Sequence, residues 1–140
     1  MKKWIKVLLI TIIFAIITSF LGPKLWPPST EMSPTKTQLP YFIFISIIES
    51  ISFGLGISFI IFGWPIIKKV QSQHKNKAIL SFISIIWLLT SWWPHDNFHI
   101  SNGSNMQRLL YIEYGFHLTL IIASVIIAYN FLIFLKESKK

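Results

Sequence analysis

His95 and His99 stand four positions apart, and so do Glu113 and His117. On a helix that spacing brings both members of a pair to one face, where an imidazole and a second nitrogen or oxygen group can approach the same ion. Asp96 and Asn97 lie inside the first pair and are suited to orienting a ligating imidazole from behind. Glu49 adds a carboxylate from farther up the chain. With four histidines and five acidic residues in 140, the set His95, Asp96, His99, Glu113, His117 and Glu49 gathers most of the ionisable chemistry available. The chain has no cysteine, which excludes disulfides, thiolate metal sites, iron–sulfur clusters and cysteine nucleophiles. Nitrogen and oxygen ligands suit zinc, copper(II), iron or manganese, and Met106 alone is too little thioether for copper(I).

The elements that must carry these groups are apolar. The residues are 53% hydrophobic and 13% charged, and the mean hydropathy is positive, a composition of integral membrane proteins rather than soluble domains. Four apolar runs, about 4–21, 40–67, 78–93 and 109–135, each approach the roughly 20 residues needed to cross a hydrocarbon core of about 30 Å. They are too long and too uniformly apolar for barrel strands, which alternate over about ten residues. The expectation is an all-α integral membrane four-helix bundle, one domain over residues 1–140. The first run opens with Met1-Lys2-Lys3, and no small-x-small cleavage site follows Phe20, so it reads as an uncleaved anchor.

The formal charge of +8 does not point to nucleic acid, because the basic residues sit at the ends of apolar runs instead of being interleaved with stacking aromatics. They read as topology signals. Lys2, Lys3, Lys6, Lys68, Lys69, Lys75, Lys77, Lys136, Lys139 and Lys140 fall on one side, and Lys24, Lys36 and Arg108 on the other. Basic residues near span ends are retained in the cytoplasm. Both termini are therefore expected there, with the loop 22–39 and the stretch after Trp93 on the extracytoplasmic face of a cell membrane.

Contact faces between helices in lipid carry small and weakly polar side chains. Thr11, Ala15 and Thr18 share a face of the first run, and Ser46, Glu49, Ser52, Gly56 and Gly63 recur along the second. Ser81, Ser84, Leu88 and Ser91 lead along the third towards His95, while Glu113, His117, Ser124 and Ala128 mark the fourth. Ser104 and Gln107 form a capping box after the Asn102-Gly103 turn. These stripes predict that Glu49, His95 or His99, Glu113 and His117 meet near the outer end of the bundle. Ionisable groups at membrane depth cost a few kcal/mol each unless they pair, face a cavity or bind something.

WWPHDN and IEYGFH resemble paired signatures of a family of small prokaryotic multi-pass membrane proteins, over Ser91 to Leu120. The resemblance implies that the two stretches belong to one site and implies no activity.

Several functions fit the cluster. It is a metal site, or a hydrogen-bonded lock that holds the helices together in an accessory subunit of a larger membrane complex. Haem held by His117 with His95 or His99 is disfavoured by Glu113 one turn away. Proton or ion conduction needs a polar path to the cytoplasmic side, and the interior below Ser84 and Ser124 reads as apolar, with His74 merely solvated in a turn. Most tryptophans and tyrosines lie near span ends, as an aromatic belt does. Gly54-Leu55-Gly56 lies inside an apolar helix and reads as close packing, not a phosphate loop. No Gly-x-Ser-x-Gly elbow marks a hydrolase.

Overall fold

The computed structural model describes residues 2–25, 35–95 and 106–137, and among these the regular structure is entirely helical. Helix α1 spans Lys3–Leu25 and α2 spans Leu39–Ser58. Pro40 lies in the first turn of α2, where a missing N–H breaks no helical bond. A single π turn, Phe59–Gly63, joins α2 to α3, Trp64–Val70, with the Trp64 N–H donating to the Phe59 carbonyl. Pro65 explains its position: a proline ring has no N–H to give and crowds the preceding turn, and the wider π turn relieves that crowding while the axis continues. Helix α4 spans Lys75–Thr90, and after a single turn residue, Ser91, which itself keeps helical dihedrals and donates its N–H to the Trp87 carbonyl, residues 92–95 are helical. Helix α5 spans Met106–Glu137. The Asn102-Gly103 turn and Ser104 of the expected capping box lie outside the described residues.

Three helical stretches, Lys3–Gly22, Leu39–Val70 and Leu110–Glu137, are long and apolar enough to cross a membrane. Helix α4 is shorter. Its 16 residues give about 24 Å at 1.5 Å each, less than a hydrocarbon core of about 30 Å. The outward surface of all these helices is greasy, with Ile13, Phe44, Ile83 and Leu118 among many exposed large side chains, as a bilayer environment requires.

The packing core is built by the π turn, α3, α4 and α5, with Val7 of α1 and the partly buried Leu55 of α2 at its edge. Phe59, Ile67, Ile85, Leu88, Leu120, Ile127 and Phe134 are its most enclosed members. Phe59 meets Phe131 edge to face at 4.9 Å and 76°. Helix α1 packs chiefly on α2, antiparallel to it, since Thr11 hydrogen-bonds Ser58 at 2.9 Å and Ser19 hydrogen-bonds Ser50 at 2.9 Å. That contact is close because Gly54 permits it: a Cβ there would stand 2.3 Å from the Thr11 carbonyl oxygen. Gly56 does the same against α4, where a Cβ would meet the Leu89 side chain at 2.9 Å. Both glycines therefore serve packing, as small residues do between helices in lipid.

The small-residue stripes are followed unevenly. On α4, Ser81, Ser84, Leu88 and Ser91 are all buried, and His95 continues the line. On α5 the buried face runs through Glu113, His117, Leu120, Ala123, Ile127, Asn130 and Phe134, while Ser124 is half-buried and Ala128 exposed. Ser46 on α2 is exposed as well. Steps of three residues fall short of a full turn of 3.6 and steps of four overshoot it, so a stripe extrapolated over several turns without balancing the two leaves the contact face.

Candidate functional site

Helix α5 supplies two groups one turn apart. Glu113 and His117 are 7% and 6% exposed, and the His117 ring is fixed by a 2.7 Å hydrogen bond between Nδ1 and the Glu113 main-chain carbonyl. A carbonyl oxygen only accepts, so Nδ1 carries the proton and Nε2 points away from the helix. His95 arrives from the turn beyond α4. Its N–H donates to the Ser91 carbonyl at 3.2 Å, so Pro94 sits within a first helical turn that needs no N–H from it. The His95 ring lies flat on Phe116, with centroids 3.9 Å apart and planes 11° from parallel. Glu49 reaches in from α2 and keeps 39% of its side chain accessible.

These four side chains close a ring in which each imidazole faces both carboxylates. His117 Nε2 is 3.3 Å from Glu49 Oε1, and His117 Nδ1 is 3.3 Å from Glu113 Oε2. His95 Nε2 is 3.4 Å from Glu113 Oε1, and His95 Nδ1 is 3.8 Å from Glu49 Oε1. The two imidazoles stand perpendicular, 89° apart with centroids separated by 5.9 Å. Helices α2 and α5 and the helical turn 92–95 beyond α4 thus each contribute to one polar cluster, buried at His95, Glu113 and His117 and open at Glu49.

His117 Nε2 is buried with no hydrogen-bond partner, although Glu49 Oε1 is 3.3 Å away. With Nδ1 protonated, a neutral ring presents a lone pair at Nε2, and a lone pair facing a carboxylate oxygen is repulsive unless a cation lies between them. A second proton on the ring or a metal ion meets that need. As the side chains stand, no group of three or more His, Asp or Glu among the described residues is arranged around a common metal position. Asp96 and His99, two of the ligands expected from the sequence, lie outside the described residues, and so does Asn97.

Beside the cluster, between α4 and α5, is a cavity of about 280 Å³ whose wall includes Trp87, Ser91, His95 and Phe116. Trp87 closes its lower edge by donating from Nε1 to Thr119 Oγ1 at 2.9 Å.

Two expectations about the opposite end need correction. His74 is not simply solvated: its Nε2 pairs with the Glu137 carboxylate, because the turn after α3 sets it beside the last turn of α5. The interior near that end is not uniformly apolar either. Asn130, 4% exposed, donates to Ser81 Oγ at 3.0 Å and to the Lys77 carbonyl at 3.3 Å, and Thr11 with Ser58 forms a second buried polar contact. The sequence reading missed Asn130, and the signal that could have found it is an asparagine in an otherwise apolar run, since a lone amide in a membrane helix needs a partner on a neighbour.

No family model, curated protein or solved structure matches the chain. The likeness of WWPHDN and IEYGFH to a membrane-protein family therefore rests on those two stretches alone.

Proposed function

We propose that this chain is a multi-pass membrane protein, a four-helix bundle with both termini in the cytoplasm, whose His/Glu ring binds a transition-metal ion on the extracytoplasmic side. The observation that carries the reading is His117: its Nδ1 is committed to a main-chain carbonyl while Nε2 is buried, unbonded and turned towards a carboxylate. Metal-ligating histidines characteristically donate their second ring nitrogen to a carbonyl or carboxylate in this way, which fixes the tautomer and aims the lone pair. The 3.3 Å separation of His117 Nε2 and Glu49 Oε1 also equals the spacing of neighbouring ligands about 2.0–2.1 Å from a tetrahedral ion, roughly 3.3 Å.

In this reading His117 and Glu49 are the inner ligands, with Glu113 and His95 a small side-chain rotation away. Asp96 or His99 completes or orients the shell from the adjoining segment. The donor set suits zinc, copper(II), iron or manganese. Glu49, the accessible member, is where an ion exchanges with the outside. Helix α4 spans with help from residues 92–95, which places His95 at or just below the outer interface. Binding, rather than catalysis, is the assigned role.

A second reading has its own support: because each imidazole already faces both carboxylates, the ring with shared protons is a helix lock, and the exposed outer face of α1 offers partner helices in a larger complex a surface. Elemental analysis of protein purified without chelator separates the two. Near-stoichiometric metal in the wild type, lost in His117→Ala, supports binding. A metal-free wild type that takes up none at micromolar concentration leaves the lock.

A further inference from the structure

The turn joining α3 to α4 forms an open surface depression of about 410 Å³ lined by Lys68, Gln71, Ser72 and Lys75. It lies at the end of the molecule opposite the His/Glu ring and owes nothing to it. All four lining residues are exposed, and Lys69 and Lys77 follow on the same turn. Of the described acidic residues, Glu49 and Glu113 belong to the distant ring, and Glu137 is held by His74. The field in the depression is therefore positive and offers two ammonium groups, an amide and a hydroxyl, which together match a phosphate diester bearing a polar substituent.

What lies along the same helix faces decides the source of that phosphate. Trp64 precedes Lys68 by one turn on α3, and Ile79 and Phe82 follow Lys75 by one and two turns on α4, so each pair or trio shares a face. Trp64 and Phe82 meet there, their ring centroids 5.2 Å apart. Ile79, Phe82 and Ile83 are exposed, and all lie in helices of apolar character. A basic polar cup thus stands directly above an aromatic and aliphatic surface, with a tryptophan at the boundary where indole rings favour the headgroup level. A soluble phosphate makes no use of the lower half.

We propose that this depression seats the headgroup of an anionic phospholipid, its phosphate between Lys68 and Lys75, its headgroup hydroxyls on Gln71 and Ser72, and an acyl chain along Trp64 and Phe82. Lysines near an anionic lipid surface contribute about a factor of five in affinity each, so the pair accounts for a preference of roughly 25-fold.

Native mass spectrometry of the full-length protein in detergent, titrated with dioleoyl phosphatidylglycerol or dioleoyl phosphatidylcholine, tests this. The expected result is at least ten-fold stronger retention of phosphatidylglycerol, abolished in the Lys68→Ala/Lys75→Ala double variant and kept in Lys24→Ala, which removes an exposed charge at the other end. The double variant changes only exposed side chains, and an unchanged melting temperature in detergent confirms its fold. Lys68→Arg/Lys75→Arg should retain the lipid. Equal retention of the two lipids, undiminished binding in the double alanine variant, or displacement of the lipid by equimolar inorganic phosphate would each overturn the proposal, the last by showing a site for free phosphate.

Discussion

His117 has one ring nitrogen tied to its own helix and the other aimed at Glu49, so under the metal-binding proposal it is the ligand least replaceable by water. His117→Ala is expected to abolish bound metal, as read by elemental analysis, since it removes the one buried lone pair already oriented by the Glu113 carbonyl and aimed towards Glu49. Asp96→Ala should weaken metal affinity by about 10- to 100-fold, the usual effect of a group that orients a ligand, measured by competition with a chromogenic chelator. His74→Ala makes the contrast: it breaks the pair with Glu137, costs about 0–1 kcal/mol of thermal stability, and leaves the metal content unchanged. Asn130→Leu should behave like His74→Ala. It removes hydrogen bonds to Ser81 and the Lys77 carbonyl worth about 0.6 kcal/mol, at most about 1.7, in a membrane interior, and a metal-content loss in either variant would mean that the two ends of the bundle are coupled.

Between elements, the backbone approach of α1 to α2 is the contact with least room to adjust. A methyl at Gly54 would stand 2.3 Å from the Thr11 carbonyl oxygen and 3.0 Å from the Ala15 nitrogen, and helix backbones yield less readily than side-chain ends. Gly54→Ala should therefore destabilise by about 1–3 kcal/mol, the range for overpacking, and weaken the Thr11–Ser58 and Ser19–Ser50 hydrogen bonds by pushing the helices apart. Gly22→Ala tests the geometry, because a Cβ there meets nothing within 4 Å: it should be neutral, or stabilising by up to about 1 kcal/mol through better helix propensity. Thermal melts of both variants in one detergent check the pair, and equal melting temperatures would show that the α1–α2 contact is looser than the Gly54 geometry requires.

For the molecule as a whole, the helix directions bring the N-terminal end of α1, the α3–α4 turn and the C-terminal end of α5 to one end. Thr11 pairs with Ser58, Ser81 with Asn130, and His74 with Glu137. Lys3, Lys6, Lys68, Lys69, Lys75, Lys77 and Lys136 therefore share that end, opposite the His/Glu ring. If basic residues set the orientation, fusions after Ser72 and after Lys140 should both report a cytoplasmic location, fluorescent with a reporter that folds only inside and inactive with a phosphatase that folds only outside. A fusion at Thr35 should report the reverse. A C-terminal reporter found outside would mean that α4 does not cross, leaving three spans and separating the proposed sidedness from the charge pattern.

Much of this was legible in the sequence for a simple reason: composition and run length act residue by residue. Apolar stretches too long for strands and charges clustered at their ends dictate helices in a lipid-like setting, and four-residue spacing dictates that Glu113 and His117 share a face. The rarity of ionisable groups gathered Glu49, His95, Asp96 and His99 around them, because such groups seldom stand alone at depth, and only the tertiary structure shows Glu49 and His95 at the pair, Asp96 and His99 lying outside the described residues. What the sequence did not determine depends on helix rotation and register between segments far apart in the chain. Whether Ser124 or Leu120 faces the core, how Pro65 is absorbed into a π turn, and which neighbour Asn130 or His74 finds are decided by the packing of α2, α4 and α5 as a unit. The same packing turns His117 Nε2 towards Glu49 rather than into a helix groove. A step of four residues overshoots a turn by about 40° and a step of three falls short by about 60°, so a side chain can leave a contact face within a few turns, and only close packing of side chains against a neighbour fixes that angle.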